Sequence, residues 1–160
     1  MNSLKPVHRV LFVCHGNICR STMAESVFTE LVRQAGRSDE FIIDSAATST
    51  EEIGNSPHYG TVIKLRQMGV PLVPHRARQV RGDEYSDWDL IIGMDNANIR
   101  NLRRIFKHEP EAQADGCAKV IKLLSLAGSD RDVADPWYTG NFDVTYEDVL
   151  AGCEALLKQL

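Results

Sequence analysis

Four short apolar runs punctuate the chain, at residues 10–13, 41–43, 90–92 and 120–124. They are nearly continuous rather than alternating. A strand with one face in water alternates apolar and polar residues, whereas an unbroken run fits a strand covered on both faces. Between the runs, apolar residues recur at helical spacing. From near Ser21, positions Met23, Ala24, Val27, Phe28, Leu31, Val32 and Ala35 form one stripe. Thr22 and Glu25 have the spacing of a capping box, and Gly36 suits the helix end. A second helix is expected to open with Ser56 as N-cap and Pro57 in its first turn, and to end at Gly69. A third covers 96–106. The last starts at about Thr145 and carries Tyr146, Val149, Leu150, Cys153, Leu156, Leu157 and Leu160 on one side. Strands alternating with helices predict an α/β fold: a three-layer, Rossmann-like domain with a central four-stranded parallel sheet and helices on both faces. Ligands in such folds bind beyond the carboxyl ends of the strands.

At 160 residues the chain fits one domain, 1–160, with a substantial core. The longest loops, at 47–55, 71–85 and 127–141, are candidates for function. The formal charge of -4 gives no general attraction to nucleic acid or to an anionic membrane. No apolar run approaches the roughly 18 residues that a membrane-spanning helix needs. Residues 1–7 contain no long apolar core, so no signal peptide is read there and the cytoplasm is expected. Of the cysteines Cys14, Cys19, Cys117 and Cys153, none forms a Cys-x-x-Cys pair and none joins a cluster with zinc-like spacing. A disulfide scaffold is not expected. Cys153 falls on an apolar helix face and reads as inert core, and Cys117 has no evident partner.

The segment after the first run is Val13-Cys14-His15-Gly16-Asn17-Ile18-Cys19-Arg20-Ser21. It lies between a buried strand and an amphipathic helix. Gly16 permits a turn that other residues resist, and Asn17 tolerates the left-handed conformation. A tight loop here turns backbone N–H groups inward, and the helix behind it adds the positive end of its dipole. The product is a cradle for an anion of phosphate size. Cys14 stands at its mouth. Arg20 closes it, where a guanidinium fork can clasp two phosphate oxygens. Such positive surroundings favour the thiolate, the form that attacks phosphorus. Cys and Arg at this spacing alone occur by chance; the Gly-Asn pair, the following Ser21 and the strand-to-helix setting make the signal specific. No Gly-Lys-Ser/Thr follows, so this is not a Walker loop.

The segment Cys14-His15-Gly16-Asn17-Ile18-Cys19-Arg20-Ser21 closely resembles the signature of the low-molecular-weight protein tyrosine phosphatases. Further segments follow in family order. Asp44-Ser45-Ala46-Ala47 is similar to the second-strand exit and Pro74-His75-Arg76-Ala77-Arg78-Gln79 to a His-x-Ala-Arg stretch. Met94-Asp95 resembles the end of the third strand, and Asp135-Pro136-Trp137-Tyr138 the general-acid loop. The resemblance spans most of the chain. It implies that family's fold and a metal-independent, cofactor-free phosphatase with Cys14 as nucleophile, Arg20 as phosphate clasp and Asp135 as general acid, then base. His15, Gly16, Asn17, Ile18, Cys19, Ser21, Trp137 and Tyr138 are then expected at the phosphate and substrate. Ser21 would support the thiolate, while Asn17, Ser45 and His75 would form a network behind the loop. Asp95 would orient Arg20 by charge pairing. Cys19 would lie near Cys14, and a reversible disulfide between them would shield the nucleophile from deeper oxidation. The implied partner is a tyrosine-phosphorylated protein, with inorganic phosphate as product, and a monomer or weak dimer is expected.

Three departures from the family pattern carry consequences. Thr22 stands where proline usually follows Arg-Ser. Thr50-Glu51-Glu52-Ile53-Gly54 replaces a loop that often carries an aromatic wall, which would disfavour acidic peptides and weaken ring stacking. Trp137 precedes Tyr138 where paired tyrosines are common; both rings can still line a slot for a flat substrate. Ile18 resembles the tyrosine-directed members, since those acting on phosphoarginine tend to have Thr there. The alternatives are a protein-arginine phosphatase, an arsenate reductase and a non-catalytic phospho-residue binding module. The reductase needs resolving cysteines after the second helix, and residues 69–101 contain none. The binding module would lack the Cys, the Arg or the acid, and all three are present.

Overall fold

The computed structural model describes residues 6–160; most of the stretch read for a signal peptide, 1–7, lies outside them. Strands β1 (His8–Cys14), β2 (Phe41–Ala47), β3 (Leu90–Gly93) and β4 (Val120–Lys122) form one parallel sheet in the order β2-β1-β3-β4. The unbroken apolar run of β1 has its explanation in the two cores it separates. Val10 and Phe12 face one core, with Met23, Val27 and Phe28 of helix α1 (Arg20–Gln34) and Val149, Cys153 and Leu156 of helix α6 (Phe142–Gln159). Leu11 and Val13 face the other, with Tyr85, Trp88, and Leu102 of helix α3 (Asn96–Ile105). Side chains alternate across a strand, so both faces need apolar residues when both are covered. No helix among the described residues is long and apolar enough to cross a membrane.

Several boundaries differ from the sequence reading. Strand β2 runs on through Asp44 and Ser45 to Ala47, because these polar residues are satisfied by side chains from other segments. Strand β4 stops at Lys122, and Leu123–Ala127 coil into a 3₁₀ turn that still buries Leu123 and Leu124. The capping box at α1 does not form. Cys19 is the N-cap without a side-chain bond, Thr22 Oγ1 bonds back to the Cys19 carbonyl, and Glu25 points across to Ser45. Helix α2 (Tyr59–Gln67) begins after Ser56 and Pro57; its cap is His58, whose side chain accepts from the Gly60 N–H. Helix α6 begins three residues before Thr145, capped by Asn141. Two short helices were not anticipated: α4 (Pro110–Asp115) and α5 (Pro136–Thr139), each with proline in its first turn.

Candidate active site

Cys14 is the last residue of β1 and Arg20 the first of α1, so the phosphate-sized loop spans the carboxyl edge of the sheet. Its sharpest point is Asn17, at φ +60°. Gly16, expected to permit the turn, is not itself left-handed; its value is close approach, since a Cβ there would lie 3.3 Å from Cγ of Glu52. Among the described residues, the N–H groups of Gly16, Ile18 and Cys19 have no protein acceptor. Donors left free in this way suit a bound anion.

The left-handed Asn17 is held by its side chain. Nδ2 donates to Ser21 Oγ (2.8 Å) and to Ser45 Oγ (3.0 Å). Oδ1 accepts from Arg78 N (3.2 Å) and lies 2.6 Å from His75 Nε2. With Oδ1 an acceptor, the network assigns the His75 proton to Nε2. Ser21 Oγ also accepts from Cys14 Sγ at 3.1 Å; as a hydroxyl it can donate back to the sulfur once the thiol proton is gone. The Asn17 N–H approaches the same sulfur at 3.3 Å. Ser21 Oγ and the Asn17 N–H therefore both converge on Cys14 Sγ.

Arg20 is buried. Its Nη1 donates to Asp95 Oδ2 (2.7 Å) and to the Val133 carbonyl (3.0 Å), and its Nη2 to Asp135 Oδ2 (3.3 Å). Asp95 divides its work between two oxygens: Oδ2 orients Arg20, and Oδ1 caps α3 by accepting from Asn98 N at 2.7 Å. Asp135 does the same, with Oδ1 accepting from Trp137 N at 3.0 Å to cap α5 and Oδ2 turned into the site. Trp137 and Tyr138 are 60% and 84% exposed, which excludes a packing role in the core. They flank a cavity of about 100 Å³ whose lining also includes Cys14, His15, Gly16, Ile18, Cys19 and Arg20. Glu51 and Glu52 complete the rim, and Glu51 pairs with His15 at 3.0 Å. Every predicted site residue thus lies at this cavity or in the network behind it. All four cysteines are free; burial, reinforced by the charge of Cys14, pushes the Cys19 thiol up to about 12.

The sequence reading missed Glu25. It is 4% exposed and accepts from Ser45 Oγ at 2.6 Å. Its signal was a carboxylate on the buried face of α1, hidden by the apparent capping box. Burial, with help from Asp44, raises its pKa from an ordinary 4.5 to about 7. Such an acid holds its proton longer in the folded state. Its favourable contribution is complete below about pH 4.5 and is lost as pH rises through about 7. His75 works in the opposite sense: burial lowers its pKa below 6.5, so it costs stability as pH falls through that lowered value. Glu25→Gln is therefore expected to remove the loss on the alkaline side, gaining up to about 3 kcal/mol on the wild type between pH 4.5 and 8. Urea unfolding of both proteins at the two pH values measures this, and parallel pH profiles would contradict it.

A thiol held by hydrogen bonds beside an anion cradle, opposite a guanidinium and a carboxylate, is the chemistry of the cysteine-dependent phosphatases. Residues 9–160 match the family model described as low molecular weight phosphotyrosine protein phosphatase, and the chain belongs to that family. It is 40% identical to the low molecular weight phosphotyrosine protein phosphatase of Mus musculus, over 94% of each chain. It is likewise 40% identical to the low molecular weight protein-tyrosine-phosphatase YfkJ of Bacillus subtilis, again over 94% of each. The crystal structure of YfkJ superposes with a TM-score of 0.89 at 39% identity, covering 98% of this chain and 96% of that one. An arginine phosphatase from Drosophila superposes with a TM-score of 0.84 at 29% identity, covering 94% and 96%.

Proposed function

We propose that the protein hydrolyses phosphotyrosine on proteins through a phosphocysteine on Cys14, with Asp135 as general acid and then general base. The observation that carries this reading is the pair of contacts on Cys14 Sγ, from Ser21 Oγ and the Asn17 N–H, in a cavity that Arg20 and Asp135 also line. The phosphoryl dianion docks on the free N–H groups of Gly16, Ile18 and Cys19. Arg20 keeps Nη1 on Asp95 and Val133 and turns the rest of its fork to the anion. The dianion takes the place of Asp135 on Nη2, which leaves Oδ2 to face the leaving oxygen. Cys14 attacks in line: the S–P bond forms, the P–O bond breaks, and Asp135 delivers a proton to the departing phenolate. Water then attacks phosphorus, Asp135 accepts its proton, and the Cys14 thiolate leaves with the Ser21 hydroxyl turned towards it. Positioning and fixed charge do most of the work. The same proposal takes the cytoplasm as the compartment and a monomer or weak dimer as the working form.

Ile18 supports the aryl substrate: its side chain is apolar and lies in the cavity lining beside two exposed rings. The test is hydrolysis of a phosphotyrosine peptide against free phosphoarginine, in chelator and reductant. Metal-independent cleavage that favours phosphotyrosine is expected; a preference for phosphoarginine would overturn the substrate class and leave the nucleophile standing. Glu51 and Glu52 put two carboxylates on the rim. Peptides with acidic residues beside phosphotyrosine are therefore expected to have kcat/KM about 3–10-fold below basic ones at low salt, an effect that Glu51→Gln with Glu52→Gln and added salt both reduce. Equal rates across the peptide set would contradict a role for the rim. A Cys14–Cys19 disulfide belongs to the same proposal: peptide mapping after mild peroxide should find that link, and sulfonic acid on Cys14 beside an untouched Cys19 would refute it.

A further inference from the structure

His58 joins three parts of the molecule that the chemistry requires to be in register. Its backbone N–H donates to the carbonyl of Ile18, inside the phosphate loop, at 2.8 Å. Its Nδ1 accepts from Gly60 N at 3.0 Å, which caps α2 and fixes the ring plane. The imidazole stacks on Phe142, with centroids 5.6 Å apart and planes 18° apart, and meets Trp137 edge-on at 5.8 Å. Trp137 is two residues after Asp135, and Phe142 is the first residue of α6. The ring therefore touches the acid loop on both sides. Gly60 gives this contact room, since a side chain on it would overlap the Phe142 ring. Phe142 in turn packs against Ile18, Cys19 and Ala77.

We propose that His58 is a positioning residue for the general acid: its backbone N–H holds the phosphate loop while its ring packs against both ends of the acid loop and fixes where Asp135 stands. The inference rests on Asp135 being the acid, as proposed above. Asp135 is also held by Arg20 at Oδ2 and, at its carbonyl, by the N–H groups of Tyr138 and Thr139 within the same short helix. Its Oδ1 is committed to the Trp137 N–H, so a shift of Trp137 moves the carboxylate with it. Trp137 is mostly exposed, and among the described residues its ring has no aromatic contact besides His58. A displacement on the order of 1 Å at a catalytic group costs as much as a hundredfold in rate.

The role predicts a loss that depends on the leaving group. A phenol with a high pKa needs its proton from Asp135, whereas 4-nitrophenolate leaves with less help. His58→Asn keeps a capping side chain but removes the ring. Its kcat/KM is expected to fall about 10-fold on phenyl phosphate and less than about twofold on 4-nitrophenyl phosphate. Inhibition by inorganic phosphate should stay at the wild-type value, because the cradle is untouched. His58→Phe restores the ring without the acceptor and should recover most of the loss, despite a lower melting temperature. Phe142→Leu should reproduce the leaving-group bias from the other side of the contact. Equal loss on both substrates, an unchanged ratio in His58→Asn, or no recovery in His58→Phe would overturn the proposal. Asp135→Asn runs beside them. If that variant shows no bias towards the better leaving group, the acid assignment itself fails; if it shows the bias and the His58 and Phe142 variants do not, only the positioning role fails.

Discussion

Cys14→Ser is expected to abolish turnover of phosphotyrosine, with a loss of about 10⁶-fold, while the protein folds and still binds phosphate. The substitution is nearly isosteric, and a serine hydroxyl can keep the contacts that Ser21 Oγ and Asn17 N make with the sulfur. What disappears is the nucleophile. A hydroxyl is a far weaker nucleophile than a thiol, and among the described residues no carboxylate or imidazole is hydrogen-bonded to Cys14. Asp135 is turned to Arg20 rather than to Cys14. Phosphate binding measured by calorimetry on the variant separates loss of chemistry from loss of structure. Tight phosphate binding without turnover is the expected result. Turnover within about a hundredfold of the wild type would mean that another group attacks phosphorus.

Arg20→Lys is expected to lower kcat/KM by about 1,000-fold, even though it conserves charge. Arg20 donates to Asp95 and to the Val133 carbonyl from one nitrogen and reaches into the site with another. An ammonium on a flexible stem cannot serve both sides. If it pairs with Asp95 it abandons the phosphoryl group; if it turns to the phosphoryl group it leaves Asp95 and the Val133 carbonyl without their donor, at a cost of about 1–3 kcal/mol for the buried carbonyl. Both kcat and the inhibition constant for phosphate should worsen, and the melting temperature should fall with them. A variant that retained wild-type phosphate affinity would show that the backbone cradle alone holds the anion.

Much of this architecture is legible in the chain because the relevant physics is local. The run Val10–Phe12–Val13 declares a strand covered on both faces, and the order of strands and helices then implies the parallel sheet. The loop from Cys14 to Ser21 is contiguous, so its cradle can be read from one short segment. Asp135-Pro136 also carries a local signal, an N-cap followed by proline, although the helix it opens was not read. The remainder is tertiary. Asp44 and Ser45 look like a strand end because they are polar, yet they continue β2 because Arg78, Asn17 and Glu25 satisfy them. Thr22 and Glu25 have the spacing of a capping box, and nothing near them in sequence reveals that Glu25 turns to a serine 20 residues away. His58 follows a plausible cap, Ser56, and a plausible first-turn proline. Its partners Trp137 and Phe142 lie some 80 residues on, so only the folded chain brings the three rings together.

The central claim is that phosphorus passes through a covalent bond to Cys14. The direct measurement is rapid mixing of the protein with a phosphotyrosine peptide labelled on phosphorus, a quench within the first turnover, and mapping of the label by mass spectrometry. The account predicts label on the peptide that contains Cys14 and on no other, none in Cys14→Ser, and release of the label as inorganic phosphate when the unquenched reaction proceeds. Turnover with no labelled cysteine, or label on Cys19 or a histidine, would contradict it.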